Sequence, residues 1–282
     1  MNTLQVDSIS DLRAQVRNAR SAGKSIGCVP TMGALHGGHE ALIDRARAEC
    51  GFVVATLFVN PTQFSEQADL ERYPRSLEDD LAICRRRGVD VLFTPPESEI
   101  YPRPLTTFVT VEGLTDGLCG AFRPGHFQGV TTVVMKLLNI VTPDRAYFGE
   151  KDYQQLAVIR RMVDDLNMPL EIVPVETVRE PDGLAMSSRN ENLTAKQRAA
   201  ALTLSRALQT AVRSIASGEQ DPVNLKEAAA QKFEVEHLLR LEYFEIIDPD
   251  SLKPVKKIDG PVRIAVAAWA GKTRLIDNIA AG

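Results

Sequence analysis

The chain has 282 residues, enough for about two domains of ordinary size or one large α/β unit. Its 44% hydrophobic and 25% charged residues are those of a globular chain, and they exclude disorder, collagen-like repeats and a coiled coil as the main organisation. With 33 basic and 37 acidic side chains the net charge is −4, without the basic excess that binding along a phosphate backbone needs, so nucleic acid is not an expected partner.

Residues 1–20 carry Asp7 and Asp11 and no continuous apolar stretch, so they do not read as a signal peptide. Ser25–Val29 reads as a strand, followed by a glycine-rich turn and a helix near Glu40–Ala48. Phe52–Val59 is a second strand, apolar on both faces and unsuited to a solvent-facing edge; it is far too short to span a bilayer, which takes ~20 residues. Leu77–Arg87 has helical spacing, with Leu77, Leu81 and Cys84 on one side. Val89–Phe93 is a third strand, stopped by Pro95-Pro96. Val130, Val133, Val134, Leu137, Leu138 and Val141 form a helical stripe. Arg145–Phe148 is a short strand, a helix runs from about Tyr153 to Leu166, and Leu170–Val178 is another strand. Repeated β-then-α with buried strands predicts a doubly wound parallel sheet covered on both faces.

After Arg179 the pattern changes. Glu180-Pro181-Asp182-Gly183 is a turn cluster and an expected hinge. Thr194–Ser217 is a long Ala-rich helix with Thr194 as its N-cap, and a second helix covers about Pro222–Leu239. Leu241–Ile247, Val262–Ala268 and Arg274–Ile279 are strand-like, joined by turns at Asp259-Gly260-Pro261 and Ala270-Gly271-Lys272. The expected division is therefore residues 1–179 and a smaller α+β domain over 180–282.

Cys28, Cys50, Cys84 and Cys119 show no C-x-x-C pair and are too sparse for a disulfide scaffold, so they read as buried thiols in a reducing compartment. The Asn192-Leu193-Thr194 sequon stands alone. A soluble, cytoplasmic protein is expected.

In an open α/β sheet, ligands bind beyond the carboxyl ends of the strands. The loop after the first predicted strand reads Pro30-Thr31-Met32-Gly33-Ala34-Leu35-His36-Gly37-Gly38-His39. Its glycines let backbone amides approach a phosphate, a helix N-terminus follows, and two histidines three apart can donate to phosphate oxygens. A metal-ligand pair or a structural turn is the other reading. For zinc the pair lacks a third ligand nearby, since His237 is remote in sequence. Gly271-Lys272-Thr273 and Gly23-Lys24-Ser25 imitate the end of a P-loop, but Val266 and Asn18 stand where its first glycine belongs. No G-x-G-x-x-G follows a strand.

The second strand ends in Asn60-Pro61-Thr62-Gln63-Phe64, whose amides suit a ligand with hydroxyl and carbonyl groups. Gly149-Glu150-Lys151-Asp152 precedes a helix containing Gln154 and Gln155. Lys151 offers a compact cation, and Asp152 either contacts ligand or caps the helix. Met186-Ser187-Ser188-Arg189-Asn190 can close over a triphosphate, although a plain surface loop would look similar. Asp79-Asp80 either supports Mg²⁺ or lies on a solvated helix face, and Arg123-Pro124-Gly125-His126 offers another cation and imidazole.

Together these motifs resemble the pantothenate synthetase (pantoate–β-alanine ligase) family. The resemblance runs almost end to end and is strongest in Pro30–His39, Phe58–Phe64, Arg123–Gly129, Phe148–Gln155 and Asp182–Asn190. The His-x-Gly-His element alone would indicate only the wider nucleotidylyltransferase superfamily, and Met186–Asn190 looks like a relative of the K-M-S-K-S loop of class I aminoacyl-tRNA synthetases. Thr62 departs from the family, where many members carry methionine. The resemblance implies a Rossmann-like nucleotidylyltransferase fold with a C-terminal lid domain. It also implies an ATP-dependent condensation of (R)-pantoate with β-alanine through a pantoyl-adenylate, releasing AMP and pyrophosphate.

By the same resemblance, Met32, Gly33, Ala34, Leu35, His36, Gly37, Gly38 and His39 contact ATP, with His39 nearest the reacting phosphate and His36 assisting. Gly149, Glu150, Lys151 and Asp152 contact ATP as well, Lys151 bridging phosphate and pantoate and Asp152 holding the ribose. Val178, Met186, Ser187, Ser188 and Arg189 complete the nucleotide site. Gln63 and Gln155 hold pantoate, and Gln63 borders the β-alanine site. Mg²⁺ on the triphosphate and a homodimer are implied too, with Asp79 and Asp80 as the candidate metal ligands. Two other readings stay open. A plain nucleotidylyltransferase would need added basic residues for a phosphate-bearing acceptor. A nucleotide-binding module without turnover would need to lack His36, His39, Lys151 or Arg189, all of which are present.

Overall fold

Six parallel strands form the first sheet of the computed structural model, which describes residues 3–64, 70–71 and 73–282. In chain order they are β1 (Leu4–Val6), β2 (Ile26–Thr31), β3 (Phe52–Leu57), β4 (Val91–Phe93), β5 (Arg145–Gly149) and β6 (Glu171–Val175). Their order across the sheet is β1-β4-β3-β2-β5-β6. Val53, Val54, Ala55 and Thr56 of β3 are all buried in succession, as a strand covered on both faces must be. The helices are α1 (Ile9–Ser21), α2 (Gly37–Glu49), α3 (Leu77–Arg87), α4 (His126–Val141) and α5 (Tyr153–Asp165). α1 packs against α4, and α2 against α3, which supplies helical cover for the doubly wound sheet.

Strand order determines where a ligand can sit. From β2 the chain moves outward to β3 and β4, then returns to the other side of β2 as β5. The switch point therefore lies between the carboxyl ends of β2 and β5, where the connections diverge and leave a crevice. Thr31 and Gly149 end those two strands.

Several boundaries differ from the sequence expectation for local reasons. β1 and α1 were not anticipated: β1 has only three residues, and Ser8 caps α1 by accepting the Asp11 N–H (3.1 Å). β2 continues through Pro30 to Thr31; the missing N–H is tolerated because pairing with β5 ends at Cys28. The helix expected to reach Leu239 stops at Glu234, and a turn at Glu236 lets Leu239 begin a strand.

The chain divides into two compact units, one of Met1–Val111, Arg123–Glu150 and Gln155–Glu176, the other of Glu112–Phe122, Lys151–Gln154 and Thr177–Gly282. The sequence places a single boundary at 179/180. The fold places it three residues earlier and gives the second unit two short earlier segments. Gln154 joins those segments: its Oε1 accepts the Cys119 N–H (2.9 Å) and its Nε2 donates to Leu114 O (2.9 Å) and Gly117 O (2.8 Å). No sequence pattern announces that join.

In the second unit, β7 (Leu239–Ile247), β8 (Val262–Ala270) and β9 (Thr273–Ala281) form an antiparallel sheet in the order β7-β8-β9. α6 (Ala195–Ala216) and α7 (Pro222–Glu234) pack on it. The Ala-rich character of α6 serves close approach: Ala200, Ala201, Leu204, Ala207, Leu208 and Ala211 are buried at helical spacing against the sheet. Its start is a capping box, in which Thr194 accepts the Gln197 N–H and Gln197 accepts the Thr194 N–H. Among the described residues no helix is long and apolar enough to cross a membrane.

All four cysteines are buried as free thiols. Burial pushes the Cys28 and Cys84 thiols up to about 12, the latter with help from the Asp80 carboxylate. Since the thiolate is the reactive form, alkylation of the native protein at mildly alkaline pH should leave Cys28 and Cys84 unmodified, while denaturant should expose both. Mass spectrometry of the labelled peptides checks this, and native labelling of Cys28 would show that β2 opens readily.

Candidate active site

The turn after β2 is built on backbone hydrogen bonds to side chains. Thr31 Oγ1 donates to Thr56 O (2.8 Å) and accepts the Gly33 N–H (3.2 Å). Gly33 and Ala34 then adopt left-handed conformations, with φ of 83° and 51°. For Ala34 that geometry is strained, and something must hold it. Asp80, on α3 and only 2% exposed, does so: its Oδ2 accepts the Ala34 N–H (3.0 Å) and its Oδ1 the Leu35 N–H (2.7 Å). A Cβ at Gly33 would lie 2.9 Å from Asp80 Oδ2 and 3.1 Å from Leu57, so the turn closes only around glycine. Burial pushes the Asp80 carboxyl up from its ordinary value, while the two N–H bonds pull it down. The solvated helix face expected for this acid pair therefore does not hold for Asp80. Its neighbour Asp79 accepts the Ser76 hydroxyl.

His36 and His39 cap α2 reciprocally. His36 Nδ1 accepts the Gly38 N–H (3.1 Å), and His39 Nδ1 accepts the His36 N–H (3.3 Å), with the two rings 4.2 Å apart. A ring nitrogen that accepts carries no hydrogen, so in both imidazoles the hydrogen sits on Nε2. The helix terminus thus has two imidazole Nε2–H donors set by its own backbone.

Beyond β3 the amides are interlocked. Asn60, 1% exposed, donates from Nδ2 to Gln63 Oε1 (3.1 Å) and Gly129 O (3.1 Å), and its Oδ1 accepts the Tyr101 hydroxyl (2.7 Å) and the Thr62 hydroxyl (3.0 Å). Gln63 Nε2 donates to Met32 Sδ (3.1 Å), which ties this loop to the β2 turn. His126 Nδ1 donates to Gln63 O (2.8 Å), so the imidazole of the Arg123–His126 element holds backbone here. Gly129 makes the approach of α4 possible, since a Cβ there would fall 2.4 Å from Thr62 O. Gln155 lies in the first turn of α5.

The remaining candidates belong to the second unit, apart from Gly149 and Glu150 at the end of β5. Lys151 Nζ lies 3.7 Å from Asp152 Oδ2. Val178 and Met186 face each other across a hairpin, Met186 N–H donating to Val178 O (2.9 Å), with Arg179 paired to Ala185. Ser187 Oγ accepts the Arg189 N–H (3.2 Å) and so starts the one-turn helix that carries Ser188 and Arg189. The Glu180–Gly183 turn, expected as a hinge, is the tip of this hairpin and is braced from α6. Arg198 donates to Glu180 (2.6 Å) and Asp182 (2.8 Å), and holds the Glu180 carboxyl below the usual carboxylate range.

Sequence reasoning left out Asn60 and Tyr101 as a pair, the role of Asp80, and the reason for Gly129. Only Gly129 carried a sequence signal, an isolated glycine inside an apolar helical stripe, which marks a close backbone approach.

The sequence profile of the family described as Pantoate-beta-alanine ligase matches residues 5–280. The chain is 52% identical to the pantothenate synthetase of Moorella thermoacetica over 97% of either chain. It also resembles the crystal structure of the Thermus thermophilus pantothenate synthetase, with TM-score 0.93 and 46% identity over 98% of this chain and 99% of that one. A Francisella tularensis pantoate-beta-alanine ligase, solved with beta-gamma ATP and beta-alanine, superimposes with TM-score 0.82 at 36% identity over 98% and 97% of the two chains.

Two substitutions probe this geometry. Asp80→Ala should leave two turn N–H groups without partners, costing about 1–3 kcal/mol, and amide exchange at Ala34 and Leu35 should speed up at least roughly ten-fold. Unchanged exchange would mean that the turn holds itself. Gly129→Ala should destabilise by about 1–3 kcal/mol as α4 is forced off the Asn60–Gln63 loop, measured by denaturant unfolding.

Proposed function

The chain belongs to the pantoate–β-alanine ligase family and condenses pantoate with β-alanine at the expense of ATP, and on that premise we propose how its residues carry the reaction. The pantoate carboxylate attacks the α-phosphorus and pyrophosphate leaves, giving pantoyl-adenylate. The β-alanine amine then attacks the acyl carbon, AMP leaves, and the amide forms with loss of the amine proton. Neither step needs a protein nucleophile, so the residues position the reactants and stabilise developing charge.

The observation that carries this reading is the reciprocal cap of α2. With both Nδ1 atoms accepting backbone N–H, His36 and His39 offer Nε2–H donors at a helix N-terminus beside the sheet's switch point, the chemistry a polyphosphate requires. In this role they are hydrogen-bond donors to phosphate. Met32–His39 contact ATP; Gly149–Asp152, Val178 and Met186–Arg189 complete its site, with Lys151 as the cation that follows charge from ground state to transition state. Gln63 and Gln155 hold pantoate, and Gln63 borders β-alanine.

Mg²⁺ fits as a partner of the triphosphate rather than of a protein cage, since it is commonly held by one or two carboxylates plus phosphate oxygens. Of the two candidates Asp79 fits better, because only its Oδ2 accepts a hydrogen bond, from the Ser76 hydroxyl, whereas both Asp80 oxygens accept backbone N–H groups. Bound there, the ion would screen the triphosphate charge. A cytoplasmic homodimer completes the proposal, and light scattering giving twice the chain mass is its check.

The test is isotope exchange. Labelled pyrophosphate should enter ATP when pantoate and Mg²⁺ are present and β-alanine is absent, and omission of pantoate should abolish it. Exchange that requires β-alanine would replace the adenylate by a concerted step. His39→Ala should lower exchange by roughly 10²–10³-fold. It should also lose about 1 kcal/mol of stability, since the ring caps the His36 N–H. Near-normal exchange in that variant would remove His39 from the phosphate site.

A further inference from the structure

The last strand carries two buried polar residues side by side. Asp277 and Asn278 of β9 are 4% and 5% exposed, between Ile276 and Ile279. Alternation along the strand sends them to opposite faces: Asp277 shares a face with Leu275 and Ile279, which join the core under α6, and Asn278 shares the other with Arg274 and Ile276. A carboxylate buried this deeply needs a partner, and Arg179 supplies one, donating from Nη1 to Oδ2 (2.7 Å) and from Nη2 to Oδ1 (3.0 Å). Such a pair adds little net stability over apolar residues of equal size, but it holds its surroundings in one arrangement.

Here the surroundings are the backbone of Asn278. Its N–H donates to Asp277 Oδ1 (2.8 Å), and its carbonyl accepts from Arg179 Nη2 (3.4 Å). With its backbone held, the Asn278 side chain spans two groups: Nδ2 donates to Lys151 O (2.9 Å) and Oδ1 accepts from Arg263 Nη1 (3.0 Å). Arg263 in turn lies 3.9 Å over the Tyr153 ring, and the Tyr153 hydroxyl donates to Pro249 O (3.1 Å). The short segment from Lys151 to Tyr153 is thereby gripped at one carbonyl and at one ring, both times through residues of the C-terminal sheet or its loops. Every one of these groups belongs to the second unit.

We propose that Asn278 is a positioning residue of the adenylation step, acting through the backbone of Lys151. This rests on the role assigned to Lys151 above. A lysine with four rotatable side-chain bonds stabilises a developing charge only if its stem starts from a fixed point, and the Asn278 amide provides that point. The Arg179–Asp277 pair ties the neighbouring strand position to the hairpin that leads into Met186–Arg189, so two adjacent residues of β9 hold Lys151 O and the Arg179 side chain.

The test compares the two halves of the reaction. Asn278→Ala should lower pantoate-dependent pyrophosphate exchange by about ten-fold, the scale of one lost hydrogen bond, while aminolysis of supplied pantoyl-adenylate by β-alanine stays within about two-fold. A structural weakening would reduce both halves together. Asn278→Asp keeps the shape and the acceptor for Arg263 but replaces the donor with a second, negatively charged oxygen that repels Lys151 O. It should therefore show at least the exchange defect of the alanine variant, with aminolysis again the control for folding. The Lys151→Ala/Asn278→Ala double variant should be no slower in exchange than Lys151→Ala alone. If Lys151→Ala reduces exchange but neither Asn278 variant does, or if the two losses multiply, the positioning role is overturned and the role of Lys151 stands. If Lys151→Ala itself exchanges normally, the underlying assignment fails instead.

Discussion

The turn proposed to receive a polyphosphate has two left-handed residues in succession, so its backbone has to be held by something other than a regular ladder. In this ligase a single buried carboxylate does that. Asp80 binds the N–H groups of Ala34 and Leu35, holds Ala34 in a left-handed conformation, and occupies the space that a side chain at Gly33 would take. The histidines complete the restraint from the other end, each imidazole using one nitrogen on the helix terminus. Once both ends are fixed, the direction of α2 and the place where the chain leaves β2 follow.

The neighbouring loop obeys the same logic. Its amides are oriented by one another and by Tyr101, and Gly129 lets α4 come close enough for its backbone carbonyl to take part. Thr62 belongs to this set, since its hydroxyl donates to Asn60 (3.0 Å). The Gln63 side chain is held by Asn60 and Met32, which removes rotamer freedom before any ligand arrives, and its backbone carbonyl is held by His126.

In the second unit the anchoring groups also act on backbone. Arg179 and Asp277 form an ion pair in which the acid is almost wholly buried, and removing either partner would leave an unpaired charge in the interior. A bulge at Glu242 in β7 aims another acid at Trp269 and Arg274. These polar contacts are few, specific and set within an apolar core, which makes them orienting devices more than sources of stability.

Local pattern determined a good deal. Apolar runs and helical stripes marked β3, α4 and α6 near their observed limits, because those elements bury continuous apolar surface. α3 matched its expected limits although it buries only Asp80 and Cys84 and leaves Leu77 of the expected stripe exposed. The Thr194 cap was readable because capping depends on neighbours three residues apart. Met32–His39 stood out as a candidate phosphate turn because glycine and histidine bear directly on that chemistry, and the structure adds the reciprocal cap on which the proposal rests. The contacts that join distant residues were not readable: Asp80 with Ala34 and Leu35, Gln154 with Leu114 and Gly117, Asn278 with Lys151. A lone Asp, Gln or Asn carries no periodicity, and whether it faces water or a backbone amide depends on which part of the chain folds against it. Sequence therefore determined the elements and the kind of chemistry, whereas the aim of each functional group was decided only by long-range packing, where burial makes an unpaired polar atom too costly to leave alone.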